Sequence, residues 1–229
     1  MADDYYKLPG GFVLAVEHDT PFPDVSLALT EPNGLIAIGG DLSAKRLLDA
    51  YRKGIFPWFS AGEPILWWSP DPRMVLFPDE LKVQKSLKKT IQKQPFEIRI
   101  NTAFKQVMEA CSQTPRPDQD GTWINQKMIQ AYCQLHEIGH TISVESWQNN
   151  QLVGGCYGVR IGRMFYGESM FHHVSNASKV AFVHLVQYLQ SQGIGMIDCQ
   201  MNTPLLASFG AREIPRNTFI DLLSRLVNT

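Results

Sequence analysis

Cysteine is sparse in this chain and never clustered. The four among 229 residues, Cys111, Cys133, Cys156 and Cys199, include no C-x-x-C pair. That spacing speaks against a zinc ribbon or a dense disulfide framework, and the thiols read as buried. Long apolar runs are also missing: none approaches the roughly 18 to 20 residues that a membrane-spanning helix needs. The opening MADDYYKLPGG is acidic where a secretory signal would be basic and then hydrophobic, so the cytoplasm is expected. Internal repeats and low-complexity segments are absent. With 44% apolar and 19% charged residues, the chain can bury a large core as one large domain or two unequal ones.

Net charge is close to zero as well, at -1, which by itself argues against a nucleic-acid partner. Its distribution qualifies that. Lys82, Lys85, Lys88, Lys89 and Lys93 follow one another with no intervening acid. They read either as a solvated helix face or as a patch that contacts phosphates and releases counterions.

The first 70 or so residues are turn-rich, with one clear helix capped by Ser43, striped by Leu47, Leu48 and Tyr51 and stopped at Gly54. From Gly54 to Arg73, Trp58, Trp67 and Trp68 stand among four prolines. The segment reads as a loop, neither regular helix nor central strand. Its aromatics form a small satellite core or a stacking surface. A basic helix follows over about 83–92, then a strand at PFEIRIN, a helix at AFKQVMEACSQ and a polar loop at PRPDQDG. Asn125 caps a helix through Ile138. TISVESW, QLVGGCYGVRIG and RMFYGESMF, joined by QNN and Gly162-Arg163, form an antiparallel meander. An apolar helix over about 176–190, a buried strand GMIDCQ, and helices at LLASFG and from Pro215 to Leu226 close the chain. Strand runs flanked by helices indicate an α+β fold with a mixed, mainly antiparallel sheet.

One short motif points to a different chemistry. HEIGH (His136 to His140) matches H-E-x-x-H, in which two histidines one helical turn apart bind zinc and the glutamate activates water. The helix should end near Gly139, which takes His140 off the shared face, and Ser143 and Ser146 stand where an extended motif has glycine and a third histidine. Glu145 and Glu168 fall in strands, where the motif expects a second ligand-bearing helix. A helix-end histidine explains His140, and no metal is expected. The adjacent His172 and His173 point to opposite faces of an extended segment. GESMF lacks the fifth-position glycine of a nucleophile elbow.

Polar side chains inside apolar strands carry more information. Glu168 lies among Phe165, Tyr166, Met170 and Phe171, where an unpaired carboxylate would cost several kcal/mol. Alternation puts Asp198 and Gln200 on one strand face, with Ile197 and Cys199 on the other. Each could be a satisfied structural hydrogen bond; together, beside glycines that allow close approach, they favour a lined cleft.

The succession EPNGLIAIGGDLSAKRLLDAYRKGIFPWFSAGEPILWWSPDPRMVLFP, GTWIN, LHEIGHTISVESW, LVGGCYGV, FYGESMF, NASK, IDCQ and ASFGAREIPR resembles the bacterial leucyl/phenylalanyl-tRNA-protein transferase family over nearly the whole chain. The resemblance implies a small N-terminal domain (1–71) and a catalytic domain (72–229) similar to the GNAT-type N-acetyltransferase fold. It also implies transfer of leucine or phenylalanine from aminoacyl-tRNA to proteins that begin with arginine or lysine, which creates an N-degron. The aminoacyl ester is already activated, so the reaction needs no cofactor, ATP or covalent intermediate, only orientation, removal of the ammonium proton and support of the oxyanion.

The matched residues then take roles. Asp198 would hydrogen-bond and help deprotonate the amine, Gln200 would orient amine and ester or relay the proton, and Glu168 would hold the cationic acceptor end or the α-amino group of the ester. Cys156, Phe165 and Met170 would line the donor pocket, where methionine suits two side-chain shapes. Trp58 and Trp123 would stack the terminal adenosine. The lysines 82–93 would contact the acceptor stem through phosphates, leaving selectivity to the pocket. Methionine is a further candidate donor, and a monomer is expected.

The chain departs from the family pattern at His172 and His173, where a serine and a basic residue are usual, and at MNTPLL after IDCQ, where a histidine is common. These changes bear on acceptor selection and donor preference. Two other readings compete. A CoA-dependent N-acetyltransferase needs a glycine-rich pyrophosphate loop opening a helix, and the nearest candidate, RIGR at 160–163, runs into a strand. A non-catalytic RNA-binding module would leave Asp198 and Gln200 without a role.

Overall fold

A computed structural model describes residues 5–8, 10–115 and 123–228. Most of the PRPDQDG loop lies outside the described residues. The first sheet has five strands in the order β1 (Tyr5–Leu8), β2 (Gly11–Val16), β3 (Leu35–Gly39), β5 (Leu66–Trp68), β4 (Phe56–Pro57). Helix α1 (Ala44–Arg52) packs against it, with Ser43 Oγ accepting from Arg46 N at its start and Gly54, at φ +74°, in the turn after its end. The second sheet has seven strands: β12 (Arg212–Ile214), β6 (Arg73–Leu76), β11 (Met196–Gln200), β10 (Met164–His172), β9 (Gln151–Ile161), β8 (Thr141–Gln148), β7 (Glu97–Ile100). All its pairs are antiparallel except β10 with β11. The class is α+β, as the sequence implies.

Helices α2 (Lys85–Gln92), α3 (Phe104–Ser112), α4 (Gln126–Glu137), α5 (Ala177–Ser191), α6 (Pro204–Ser208) and α7 (Arg216–Val227) surround the sheets. The meander turns as read: Asn149 and Asn150 both have positive φ, the twist a two-residue hairpin needs, and Gly162 and Arg163 link β9 to β10. RIGR is therefore a hairpin corner rather than a helix-opening loop. Close approach across β9 depends on Gly158, where a Cβ would come within 2.1 Å of the Tyr166 carbonyl oxygen.

The segment 54–73 differs from the sequence reading. Trp67 and Trp68 lie in β5, which runs between β3 and β4 and so is an interior strand. It escapes the prolines because it is only three residues long, and Pro57 sits on the edge strand β4. Trp67 is fully buried and meets Phe22 edge-on, so part of this aromatic cluster is core. One apolar cluster runs from Leu14 of β2 and Leu47 of α1 through Tyr132 of α4, Tyr157 of β9 and Phe219 of α7.

The zinc-like motif resolves into a helix end. α4 stops at Glu137, Gly139 takes φ +80°, and His140 lies beyond the helix. His136 Nδ1 is 3.1 Å from Thr141 Oγ1 with its ring stacked on Phe104, and His140 Nδ1 is 3.1 Å from the Arg160 carbonyl oxygen. Glu145 caps α3 instead: it accepts from Thr102 Oγ1 at 2.5 Å, the Ala103 N–H at 3.3 Å and Ser143 Oγ at 2.6 Å. A buried carboxylate at a helix N-terminus is stabilised by the free N–H groups there.

Candidate active site

The site lies where two parallel strands part. β10 and β11 pair only at Met164 with Met196, Phe165 with Ile197 and Tyr166 with Asp198, while β10 continues to His172. Beyond that point each strand breaks its regular path. On β10 the register against β9 shifts between Gly167 and Ser169, so Glu168 is the extra residue of a bulge. On β11, Gln200 takes φ +58°, and the Met201 N–H bonds back to the Cys199 carbonyl at 2.7 Å. A non-glycine residue held there stores backbone strain, a pattern concentrated at functional sites.

The two irregularities aim Glu168 and Gln200 at each other. Gln200 Nε2 donates to Glu168 Oε1 at 3.3 Å. Glu168 Oε1 also accepts from Tyr51 Oη of α1 at 2.6 Å, and Oε2 from Tyr132 Oη of α4 at 3.2 Å; the two phenols contact each other. Burial pushes the Glu168 carboxyl up to about 7, the Tyr51 and Tyr132 phenols pull against it, Asp198 adds to the rise, and the Gln200 amide opposes it. Burial above all, then the neighbouring carboxylate, holds both phenols well above their ordinary value, so they stay protonated donors.

Asp198 sits differently from the sequence expectation. Neither it nor Arg73 has exposed surface, and the two form a fork: Arg73 Nε donates to Oδ1 at 2.8 Å and Nη2 to Oδ2 at 2.7 Å. Oδ1 also accepts the Gln200 N–H at 2.9 Å. Both oxygens are engaged away from the cleft, so Asp198 is placed to hold Gln200 rather than to meet an incoming amine. Arg73 received no role from the sequence. Its lone charge in the apolar run RMVLF, which becomes a central strand, was the available signal, because a buried charge needs a partner.

The cleft at the split measures about 500 Å³. Trp58, Trp123, Cys156, Met170, Glu168 and Gln200 all line it. Phe165 does not. It is fully buried across Gly158 in the core beneath α5, in the stretch of β10 that is still paired with β11. Phe182 and Leu185 of α5, Ile197 and Cys199 of β11, and Leu205 and Leu206 of α6 complete the apolar wall. The α6 leucines were missed as lining because LLASFG reads simply as a short helix. Burial pushes the Cys156 and Cys199 thiols up, so they act as apolar wall. His172 and His173 are exposed beyond the cleft.

The five lysines stand outside the cleft, and all of them are exposed. Lys85, Lys88 and Lys89 share one face of α2, and its Leu87 and Ile91 pack into the α5 core. Lys82 donates its N–H to the Phe209 carbonyl at 2.9 Å, and its side chain runs beside Gly210, directly after the helix whose leucines line the cleft. The basic run thus begins beside the residues that follow α6.

Comparison with known proteins agrees with this architecture. Residues 75–224 match the family model described as leucyl/phenylalanyl-tRNA protein transferase, and residues 40–71 match that of its N-terminal domain. The leucyl/phenylalanyl-tRNA--protein transferase of Chromobacterium violaceum is 61% identical over 90% of this chain and 88% of its own length. That of Nitrosospira multiformis is 61% identical over 92% and 90%. Among solved structures, FemX aligns with a TM-score of 0.51 at 9% identity, covering 96% of this chain and 85% of its own, a likeness of fold alone. Matched along most of its length by both the domain models and these relatives, the chain belongs to the leucyl/phenylalanyl-tRNA protein transferase family and is an aminoacyltransferase.

Proposed function

We propose that the protein transfers leucine or phenylalanine, with methionine a further donor, from aminoacyl-tRNA to the N-terminal α-amine of proteins beginning with arginine or lysine. The product carries an N-degron, and the reaction takes place in the cytoplasm on a monomer. The observation that carries this reading is the meeting of Glu168 and Gln200 across the split between β10 and β11, at one side of an apolar cleft. Among the described residues lining the cleft, Glu168 is the single carboxylate. A lone negative charge in apolar surroundings favours a cationic acceptor end.

The parts divide the work. Trp58 and Trp123 line the cleft, where their rings would stack the terminal adenosine, while Met170, Cys156, Leu205 and Leu206 would accept an unbranched-at-Cβ apolar side chain. Gln200, locked by Asp198 and Arg73, orients amine and ester so that attack is effectively unimolecular. The lysines from Lys82 to Lys93 follow the acceptor stem by its phosphates. No helix among the described residues is long and apolar enough to cross a membrane.

The test is direct. The protein is incubated with tRNA charged with labelled leucine and a peptide beginning with arginine, without ATP or CoA. Label should pass to the arginine peptide and not to an otherwise identical peptide beginning with glutamate. No transfer to either contradicts the reading, and equal transfer to both contradicts its acceptor specificity.

A further inference from the structure

We propose that Tyr51, Tyr132 and Glu168 form a three-oxygen proton acceptor that takes the proton leaving the acceptor ammonium, with Glu168 as the catalytic residue and the two tyrosines as positioning residues. The inference rests on the transferase reading and adds the group that removes the proton.

Elimination comes first. Asp198 has both oxygens engaged by Arg73 and the Gln200 N–H, and a glutamine amide is not basic. The described cleft lining holds no histidine, and its two cysteine thiols are pushed up by burial, so they keep their protons. Glu168 is left, half-buried and facing the cleft.

Proton counting supports the same assignment. The three groups meet pairwise: Tyr51 with Glu168, Tyr132 with Glu168, and Tyr51 with Tyr132. With Glu168 ionised, two phenol protons serve three oxygen pairs, and one pair meets without a proton between its members. A proton added to Glu168 completes the ring with no heavy atom moving. The phenols donate to the carboxylate while it is ionised, and the ring keeps one open place for a proton, so Glu168 can take one up and return it without rearrangement.

The steps balance. An acceptor N–H bond breaks, its proton joins a Glu168 oxygen, and the nitrogen keeps the electron pair. The amine attacks the ester carbonyl carbon. As the C–O bond to the ribose breaks, the nitrogen gives its second proton to the departing oxygen, leaving a peptide bond and a free ribose hydroxyl. Glu168 then releases its proton to solvent through the cleft. Groups facing Glu168 are Tyr51 from α1, Tyr132 from α4, Gln200 and Asp198 from β11, and Tyr157 from β9 across the cleft lining; Arg73 of β6 offsets the Asp198 charge. The phenol hydrogen bonds favour the ionised carboxylate, so removing one raises the pH at which Glu168 gives up its proton.

Single-turnover transfer of leucine to an arginine peptide is measured from about pH 5.5 to about pH 9 in the wild type, Tyr51→Phe, Tyr132→Phe and Glu168→Gln. Each phenylalanine variant should move the acid-side midpoint upward by up to about one unit and approach the wild-type rate at the alkaline end. Glu168→Gln should lose about 100-fold and keep only the limb set by the acceptor amine. Equal loss at every pH in the tyrosine variants, or a wild-type profile in Glu168→Gln, overturns the proposal. A second readout needs no transfer. The infrared carboxyl band absent from Glu168→Gln should titrate at higher pH in Tyr132→Phe than in the wild type, and an unmoved band overturns the proposal. Failure of the wild type to transfer leucine would instead count against the transferase reading, with the infrared titration still deciding the coupling.

Discussion

Arg73 and Asp198 each bury a full charge, and the fork between them closes only if both are present. Replacing Arg73 with alanine leaves a carboxylate in a dry sheet, which should cost about 3 to 5 kcal/mol in urea denaturation. The double replacement Arg73→Met with Asp198→Leu removes both charges and should regain most of that stability. Transfer should remain low in the double variant, because the Gln200 N–H has lost its acceptor and the strained φ +58° its support. Recovery of stability and activity together would show that the pair only packs. Residue identity was legible at this scale where a polar group sat in an apolar run, as with Glu168, Asp198 and Gln200. The fork was not, because Arg73 and Asp198 are 125 positions apart and only the sheet order brings them together.

At the scale of elements, the hairpins and most helices were readable because local chemistry determines them: Ser43 and Asn125 each cap with a side-chain oxygen, and Asn149 and Asn150 supply the turn. The bulge at Glu168 was not readable, since it depends on how β10 registers against β9. Its consequence is that Met170, five positions after Phe165, faces the same side of the sheet and packs against the same apolar cluster. β5 was misread because prolines nearby suggested a loop, whereas the three residues between them pair on both edges. Helix α2 allows a prediction at this scale. Exchanging Lys85, Lys88 and Lys89 for glutamine leaves the buried Leu87 in place, so folding should be unaffected. The salt dependence of charged-tRNA binding should flatten by about one unit of log-log slope for each phosphate that is no longer neutralised, with little change in the transfer rate at saturation. An unchanged slope in filter-binding titrations would remove the lysines from the interface.

Across the whole molecule, the two sheets share one core, and the site draws on both. Tyr51 lies on α1 and Trp58 follows β4, beside the first sheet; Tyr132 lies on α4, and Glu168 and Gln200 lie in the second sheet. The Tyr51 carbonyl also accepts from Tyr166 Oη at 2.8 Å, which ties α1 to the strand carrying Glu168. This convergence explains why the family resemblance runs along most of the chain while no short catalytic signature marks the site. The claim that the strand split carries the chemistry is tested most directly by Gln200→Ala, a change on a cleft-facing side chain that leaves the Arg73–Asp198 fork untouched. Single-turnover leucine transfer is measured beside binding of leucyl-tRNA to the same preparation. Transfer should fall by about 100-fold with binding changed less than about threefold. Wild-type transfer by this variant would contradict the account.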